Sequence, residues 1–238
     1  MPDTAAPRLV WQGEDCLCLR WPPAIDTALN TQVHLWNEAI RGLSLPGMVD
    51  AVPCYSSLAL HFDPQAQLDR PAIEAHVTAL AAGISNDLRP SGSATPVELP
   101  VCYHATQAPD LDAAAERLGL TVEALIERHT DPVYQVALLG FAPGFPYLLG
   151  MDPGLALPRH SQPRPRVAAG SVGIAGGQTG IYPQPSPGGW QLVGRTPWRL
   201  FDPQRAPPAP PARLAPGARV RFVPISPGRF AELSEHPT

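Results

Sequence analysis

The chain has 238 residues, 44% of them apolar and only 16% charged, with a formal charge of −4. That is enough apolar material for a real core in one large domain or two modest ones, and it leaves no basic footprint for nucleic acid or an anionic membrane. All 17 basic residues are arginines, which excludes a phosphate loop ending in Gly-Lys, a Schiff-base lysine and a lysine general base; any anion must be held by guanidinium, backbone N–H groups or a partner.

The 32 prolines and 20 glycines, interleaved with apolar runs, predict many turns between short strands. No basic stretch precedes an apolar one at the start, and no run approaches the ~20 apolar residues of a spanning helix, so a cytoplasmic protein is expected. RLVWQ and CLCLRW read as two strands reversing at Gly13-Glu14-Asp15, with Cys16 and Cys18 on one face. Without CxxC spacing, Cys16, Cys18, Cys54 and Cys102 are expected to be reduced structural residues. From Asp26 the period changes: Leu29, Val33, Trp36 and Ile40 recur at helical spacing, with Asp26 as cap and Gly42 as stop. Two further extended runs flank Ser56-Ser57. A second helix starts near Asp69 and Pro71 and carries Ile73, Val77 and Leu80 on one face. The order ββαββα predicts a small two-layer domain with helices on one face of an antiparallel sheet.

Ser85 to Pro96 is polar and rich in turn formers; it is predicted as a linker dividing the chain into domains 1–90 and 91–238. Beyond it VELPVCYH reads as extended, and PDLDAAAERLG and TVEALIERH as short helices. YQVALLGF, RVAAGSVGIAG, QTGIYP, WQLVGRTP and ARVRFVPI then read as short strands, a succession that favours a closed or partly closed barrel because closure removes exposed edges. The proline-rich Pro203 to Gly217 is expected to be a surface loop between the last strands.

Chemistry concentrates in the second half. Gly140 to Arg159 sets four prolines and four glycines among apolar residues, a composition that suits a rigid surface loop or pocket wall, with Phe141, Pro143, Phe145 and Tyr147 at its head. Arg159, Arg164 and Arg166 crowd behind it. Arginine forks hold carboxylate or phosphate, and the same cluster also suits a solvated basic loop. Ser171, Gln178, Thr179, Tyr182, Ser186 and Arg195 lie among eight glycines, either as a ligand-binding surface or as parts of tight barrel turns. His129 ends a predicted helix, where it serves either as a protonated imidazole that suits the dipole or as an acid or base. There is no Gly-x-Ser-x-Gly elbow, no His-Glu-x-x-His motif and no suggestive carboxylate pair. No metal is implied, no nucleophile is assigned, and the chain does not read as a self-sufficient enzyme.

The run from His129 to Pro203, with its GFAPGFPYLLG, AAGSVGIAGGQTGIYP and WQLVGRTP, resembles the family of 5-oxoprolinase B subunits, also called the KipI or allophanate hydrolase subunit 1 family. The similarity extends through NTQVHLWNEAIRGL, LPGMVDAVPCYSSLALHFDP and LPVCY over nearly all of the chain. It implies an α+β protein with a small N-terminal ferredoxin-like α/β domain and a C-terminal cyclophilin-like β-barrel. It also implies one component, inactive alone, of the ATP-dependent hydrolase complex that opens 5-oxoproline to L-glutamate. The implied partners are an A subunit of the LamB/YcsF type and a cyclophilin-like C subunit. ATP is used by the complex, at a site not within this chain alone. Arg159 and Arg166 become the expected anion contacts, and Ser171, Gln178, Tyr182 and Arg195 the polar lining. Part of the apolar wall, Phe141, Phe145, Tyr147 and Leu148, is expected to meet the C subunit, since exposed apolar patches mark partner surfaces. The alternatives are a KipI-like inhibitor of a sensor histidine kinase and one half of a urea-carboxylase-like carboxyltransferase. Two departures bear on docking or catalysis: YHATQAPDL, Tyr103 to Leu111, stands where the family has YGGEFGPDL, and VAAGSV, with Ala168, where it has VPAGSV.

Overall fold

The computed structural model of the chain describes residues 6–80, 84, 95–205 and 208–235, and the chain forms two compact units, Met1–Ser91 and Gly92–Thr238. Apart from its last two residues, the predicted Ser85 to Pro96 linker lies outside the described residues.

The first unit runs β1 (Arg8–Gln12), β2 (Cys16–Arg20), α1 (Thr27–Arg41), β3 (Met48–Pro53), β4 (Ser57–Phe62) and α2 (Arg70–Leu80), in the predicted order. Its sheet is antiparallel throughout, in the order β1-β2-β4-β3. Strand alternation sends Leu17, Leu19, Leu58, Leu60 and Phe62 into the core, where α1 presents Val33, Trp36 and Ile40 and α2 presents Ile73 and Val77. Removing this apolar surface from water, at ~25 cal/mol per Å2, is what ties the helices to the sheet. Asp26 caps α1 by accepting the Leu29 N–H at 2.7 Å, and Gly42 follows its last turn. The sulfurs of Cys16 and Cys18 lie 3.9 Å apart, as the alternation requires, and all four cysteines are free.

The second unit opens with β5 (Val97–Val101), α3 (Leu111–Leu118) and α4 (Val122–Thr130). It continues through β6 (Tyr134–Leu139), β7 (Pro146–Leu149), a 3-10 turn at Pro153–Leu155, β8 (Arg164–Val167) and β9 (Ser171–Ala175). It ends with β10 (Gln178–Ile181), β11 (Ser186–Gly188), β12 (Gln191–Arg195), β13 (Arg219–Pro224) and α5 (Pro227–Glu235). The seven-stranded sheet has the order β12-β9-β10-β7-β6-β13-β5. Its two ends meet where Cys102 and Arg195 exchange backbone bonds of 2.8 and 3.0 Å, making a nearly closed barrel. Leu99, Val101, Val136, Leu148, Ile174, Val193 and Phe222 fill it together with Leu111 and Ala115 of α3 and Leu125 of α4. β8 and β11 form a separate pair.

The run RVAAGSVGIAG does not continue as one strand. Gly170 takes φ +81° and breaks it into β8 and β9, and a Cβ there would collide with the Thr196 carbonyl oxygen. Between β12 and β13 the described part of Pro203 to Gly217 contains neither helix nor strand, only a bridge from Ala212 to Phe201. Among the described residues no helix is long and apolar enough to cross a membrane.

Candidate functional site

Outside the barrel core a second apolar cluster gathers Phe145, Val167, Ala175, Tyr182, Trp190 and Leu192. Beside it lies a pocket of about 130 Å3 lined by Phe141, Phe145, Tyr147, Arg159, Tyr182 and Trp190, with Gly188 and Gly189 supplying bare backbone. The Phe145 ring stands edge-on to Tyr182 and to Trp190, with centroids 5.2 and 5.6 Å away. A Cβ on Gly188 would overlap the Tyr182 ring. Phe141 is held at φ +68° with 62% of its surface exposed. A left-handed conformation costs a bulky residue ~1–3 kcal/mol, and such strain gathers at ligand and partner sites.

Arg159 is the pocket's cation. Its guanidinium carbon lies 5.8 Å from the Trp190 ring centroid, and it makes no hydrogen bond or ion pair among the described residues. Burial raises the Tyr147 and Tyr182 phenols above their ordinary value, and Arg159 offsets this only in part, so both are neutral hydroxyls at pH 7. The pocket therefore offers one free cation, two neutral phenols and several ring faces. That set can bind and polarise a small carboxylate-bearing ligand, and it contains no strong nucleophile.

The segment carrying Arg159 is fixed from below by Asp110, which no sequence motif singled out. Asp110 precedes α3 and reads as its cap, yet its side chain makes no cap bond. Its Oδ1 instead accepts from Arg164 Nη2 at 2.5 Å, and its Oδ2 from the Leu192 N–H at 2.7 Å and His160 Nε2 at 3.2 Å. Burial pushes this carboxyl up, but Arg164, the Leu192 N–H and His160 outweigh that and hold it below the ordinary carboxylate range. Further bonds from the His160 N–H to the Gly189 carbonyl and from Gln191 Nε2 to the Pro158 carbonyl, 2.7 and 2.8 Å, complete the anchorage.

Of the predicted site residues, the structure brings Phe141, Phe145, Tyr147, Arg159 and Tyr182 to this pocket. Pro143 is exposed in the turn between Phe141 and Phe145. Ser171 is buried at the start of β9 and Gln178 half-buried at the start of β10; neither lines this pocket. Arg166 is exposed on β8 and has no partner among the described residues. Arg195 belongs to a different, larger cleft. The wall is less exposed than its composition suggests: Phe145 and Leu148 are core residues, 1% and 0% exposed, and the exposed aromatic is Phe141.

His129 does not stand as a protonated imidazole at a helix end. It is wholly buried in the barrel, stacked on Phe222, and burial lowers its pKa to about 3. Thr179 Oγ1 donates to the Gly173 carbonyl at 3.0 Å, so it accepts from His129 Nε2 at 3.1 Å; His129 Nδ1 then accepts the Tyr103 hydroxyl proton at 2.8 Å. Every ring nitrogen is satisfied with the imidazole neutral. Among the described residues no group of His, Cys, Asp or Glu converges as a metal-ligand set.

Residues 7–211 match the family described as carboxyltransferase domain, subdomain C and D. The 5-oxoprolinase B subunit of Bacillus subtilis (strain 168) is 40% identical over 224 residues, covering 90% of this chain and 91% of that protein. The crystal structure of TTHA0988 superposes with a TM-score of 0.76 at 40% identity, over 89% of this chain, which spans only 40% of that longer one. The Kluyveromyces lactis urea carboxylase, at 19% identity, shares the fold over 99% of this chain and 23% of its own, with a TM-score of 0.71.

Proposed function

Because the chain belongs to the family of carboxyltransferase domains, subdomains C and D, and its relatives are 5-oxoprolinase B subunits, we propose that it is the B subunit of an ATP-dependent 5-oxoprolinase, acting in the ring opening of 5-oxo-L-proline to L-glutamate. The observation that carries this reading is the 40% identity over 90% of the chain to a protein of that name, nearly end to end in both. The urea carboxylase likeness, at 19% identity, supports the fold alone. Within that fold we read the second unit as cyclophilin-like. We read the first as ferredoxin-like with its last strand moved to the front, since βαββαβ so permuted becomes ββαββα.

In this reading 5-oxoproline enters the aromatic pocket with its carboxylate on Arg159 and its ring against Phe145, Tyr182 and Trp190. The Tyr182 hydroxyl, a neutral phenol whose pKa is raised by burial, is placed to donate to the lactam carbonyl. Arg166 plays no part. A lactam is stabilised by amide resonance, so adding water across its C–N bond requires activation of the carbonyl, which is the role of ATP. This chain has no lysine for a phosphate loop and no nucleophile in the pocket. Nucleotide chemistry therefore falls to the complex, with an A subunit of the LamB/YcsF type and a cyclophilin-like C subunit that Phe141 helps to dock. The assembly works in the cytoplasm.

The test is ADP release with 5-oxoproline, measured with this protein alone and with both partners. Turnover is expected only with all three; turnover by this chain alone overturns the proposal that it works as one component of a complex. In the complex, Arg159→Ala should raise the apparent Michaelis constant about ten- to a hundredfold, the loss of a charge-assisted hydrogen bond, while Arg166→Ala leaves it unchanged.

A further inference from the structure

The larger cleft of the barrel unit, about 710 Å3, falls within the size range of small-molecule sites. Its walls include Arg195, Arg199, Trp198, Phe201 and Phe230, with several prolines. Arg195 ends β12, and two of its three guanidinium nitrogens are pinned: Nε donates to the Ala169 carbonyl at 2.8 Å and Nη1 to Gln107 Oε1 at 3.1 Å. Both acceptors are neutral. Arg41, Arg128, Arg164, Arg199 and Arg229 each pair with a carboxylate, whereas Arg195 is half-buried and has none among the described residues. Burial alone lowers its pKa, the mark of a positive charge taken out of water without compensation. Its Nη2 makes no hydrogen bond among the described residues.

The guanidinium is also held rigidly. The left-handed Gly170 lets the Ala168–Gly170 turn press against Thr196, whose N–H donates to the Gly170 carbonyl at 2.9 Å; this fixes the Ala169 carbonyl that receives Nε. The Cys102 bridge clamps the Arg195 backbone, and the Phe230 ring lies 5.7 Å from the guanidinium carbon. A half-buried, oriented and unneutralised guanidinium facing a roomy cleft is pre-organised for an anion, because little side-chain freedom remains to be lost on binding.

We propose that this cleft is a second ligand site, for a small molecule that presents an oxyanion, carboxylate or phosphate, to Arg195 and an apolar or flat body to Trp198, Phe201 and Phe230. It is distinct from the pocket at Arg159 and does not depend on what binds there. Isothermal titration of the full chain at constant ionic strength, with inorganic phosphate, ADP, L-glutamate and 5-oxo-L-proline as separate probes, separates a phosphate ligand from a carboxylate one. Saturable one-site binding of at least one probe is expected. Arg195→Ala should weaken it about ten- to a hundredfold, and Arg159→Ala should leave it in place. Gln184→Glu adds a competing carboxylate to the cleft from an exposed side chain, with no hydrogen bond among the described residues to lose, and should weaken it several-fold; it carries the test if Arg195→Ala fails to fold. Absence of saturable binding by every probe overturns the proposal, as does binding to the Arg159→Ala chain, which lacks the first pocket's anion contact, that Gln184→Glu and Arg195→Ala leave unchanged.

Discussion

Replacing Asp110 with asparagine removes the charge where α3, β12 and the Arg159 segment meet while nearly preserving the side chain's shape. Asp110 is 6% exposed, and its carboxylate accepts from Arg164, His160 and the Leu192 N–H. Asparagine keeps one acceptor oxygen and turns an NH2 toward the remaining donors, so Arg164, whose Nη1 already has no partner among the described residues, loses its counter-ion. Breaking a fully buried pair costs ~3–5 kcal/mol. The Arg164 side chain is 32% exposed and can regain some hydration, which brings the expected loss to about 2–3 kcal/mol. For a chain of this size that lowers Tm by about 4–12 °C. The sign of the pH dependence follows from the depressed carboxyl. The stabilisation is complete above the unfolded pKa of about 3.9 and is lost as pH falls through the lower folded value, so the gap between parent and variant should close on acidification. Urea denaturation of both proteins at about pH 7 and about pH 3.5 measures it. Equal stability at neutral pH, or a gap that widens in acid, would refute the reasoning.

His129 stays neutral down to about pH 3, whereas the unfolded imidazole protonates near 6.5, so stability should fall as pH drops between those values, by up to ~1.4 kcal/mol per unit. His129→Gln removes that slope, and a parent-minus-variant difference that stays flat from about pH 6.5 to about pH 4 would contradict it. Gly188→Ala forces the Tyr182 ring aside and should cost about 1–3 kcal/mol by thermal unfolding; an unchanged Tm would mean the turn yields freely. Phe141→Asn puts a residue tolerant of positive φ at that position and gives up edge-on contacts with Phe145 and Tyr182, so stability should change by less than about 1 kcal/mol while co-elution with the C subunit weakens. Unaltered co-elution would remove Phe141 from the interface.

In the first unit the order of elements was legible in the sequence because it is written locally, whereas in the second the stretch read as a loop or pocket wall contains strand β7, Pro146–Leu149, and α5 was not foreseen. Leu29, Val33, Trp36 and Ile40 at helical spacing, the Asp26 cap and the alternation in CLCLR specify α1 and β2 whatever lies elsewhere in the chain. Barrel closure was legible only as a tendency, since the bridge between Cys102 and Arg195 depends on the register of every strand between them. The site was legible as a composition and not as an arrangement. Phe141 and Phe145 look alike in GFAPGF, yet one is exposed in a left-handed turn and the other is core. His129 closes a helix, where local reasoning favours a charge, and the barrel closed around it keeps it neutral. Arg159, Arg164 and Arg166 sit within eight residues and meet three fates: an indole face, a carboxylate and solvent. Asp110, which decides the second of these, lies 54 residues away from Arg164 along the chain. Periodicity and capping act over one or two turns of backbone, whereas the ionisation and exposure of a side chain depend on which distant groups the fold brings within a few ångströms, and that is settled only when the barrel closes.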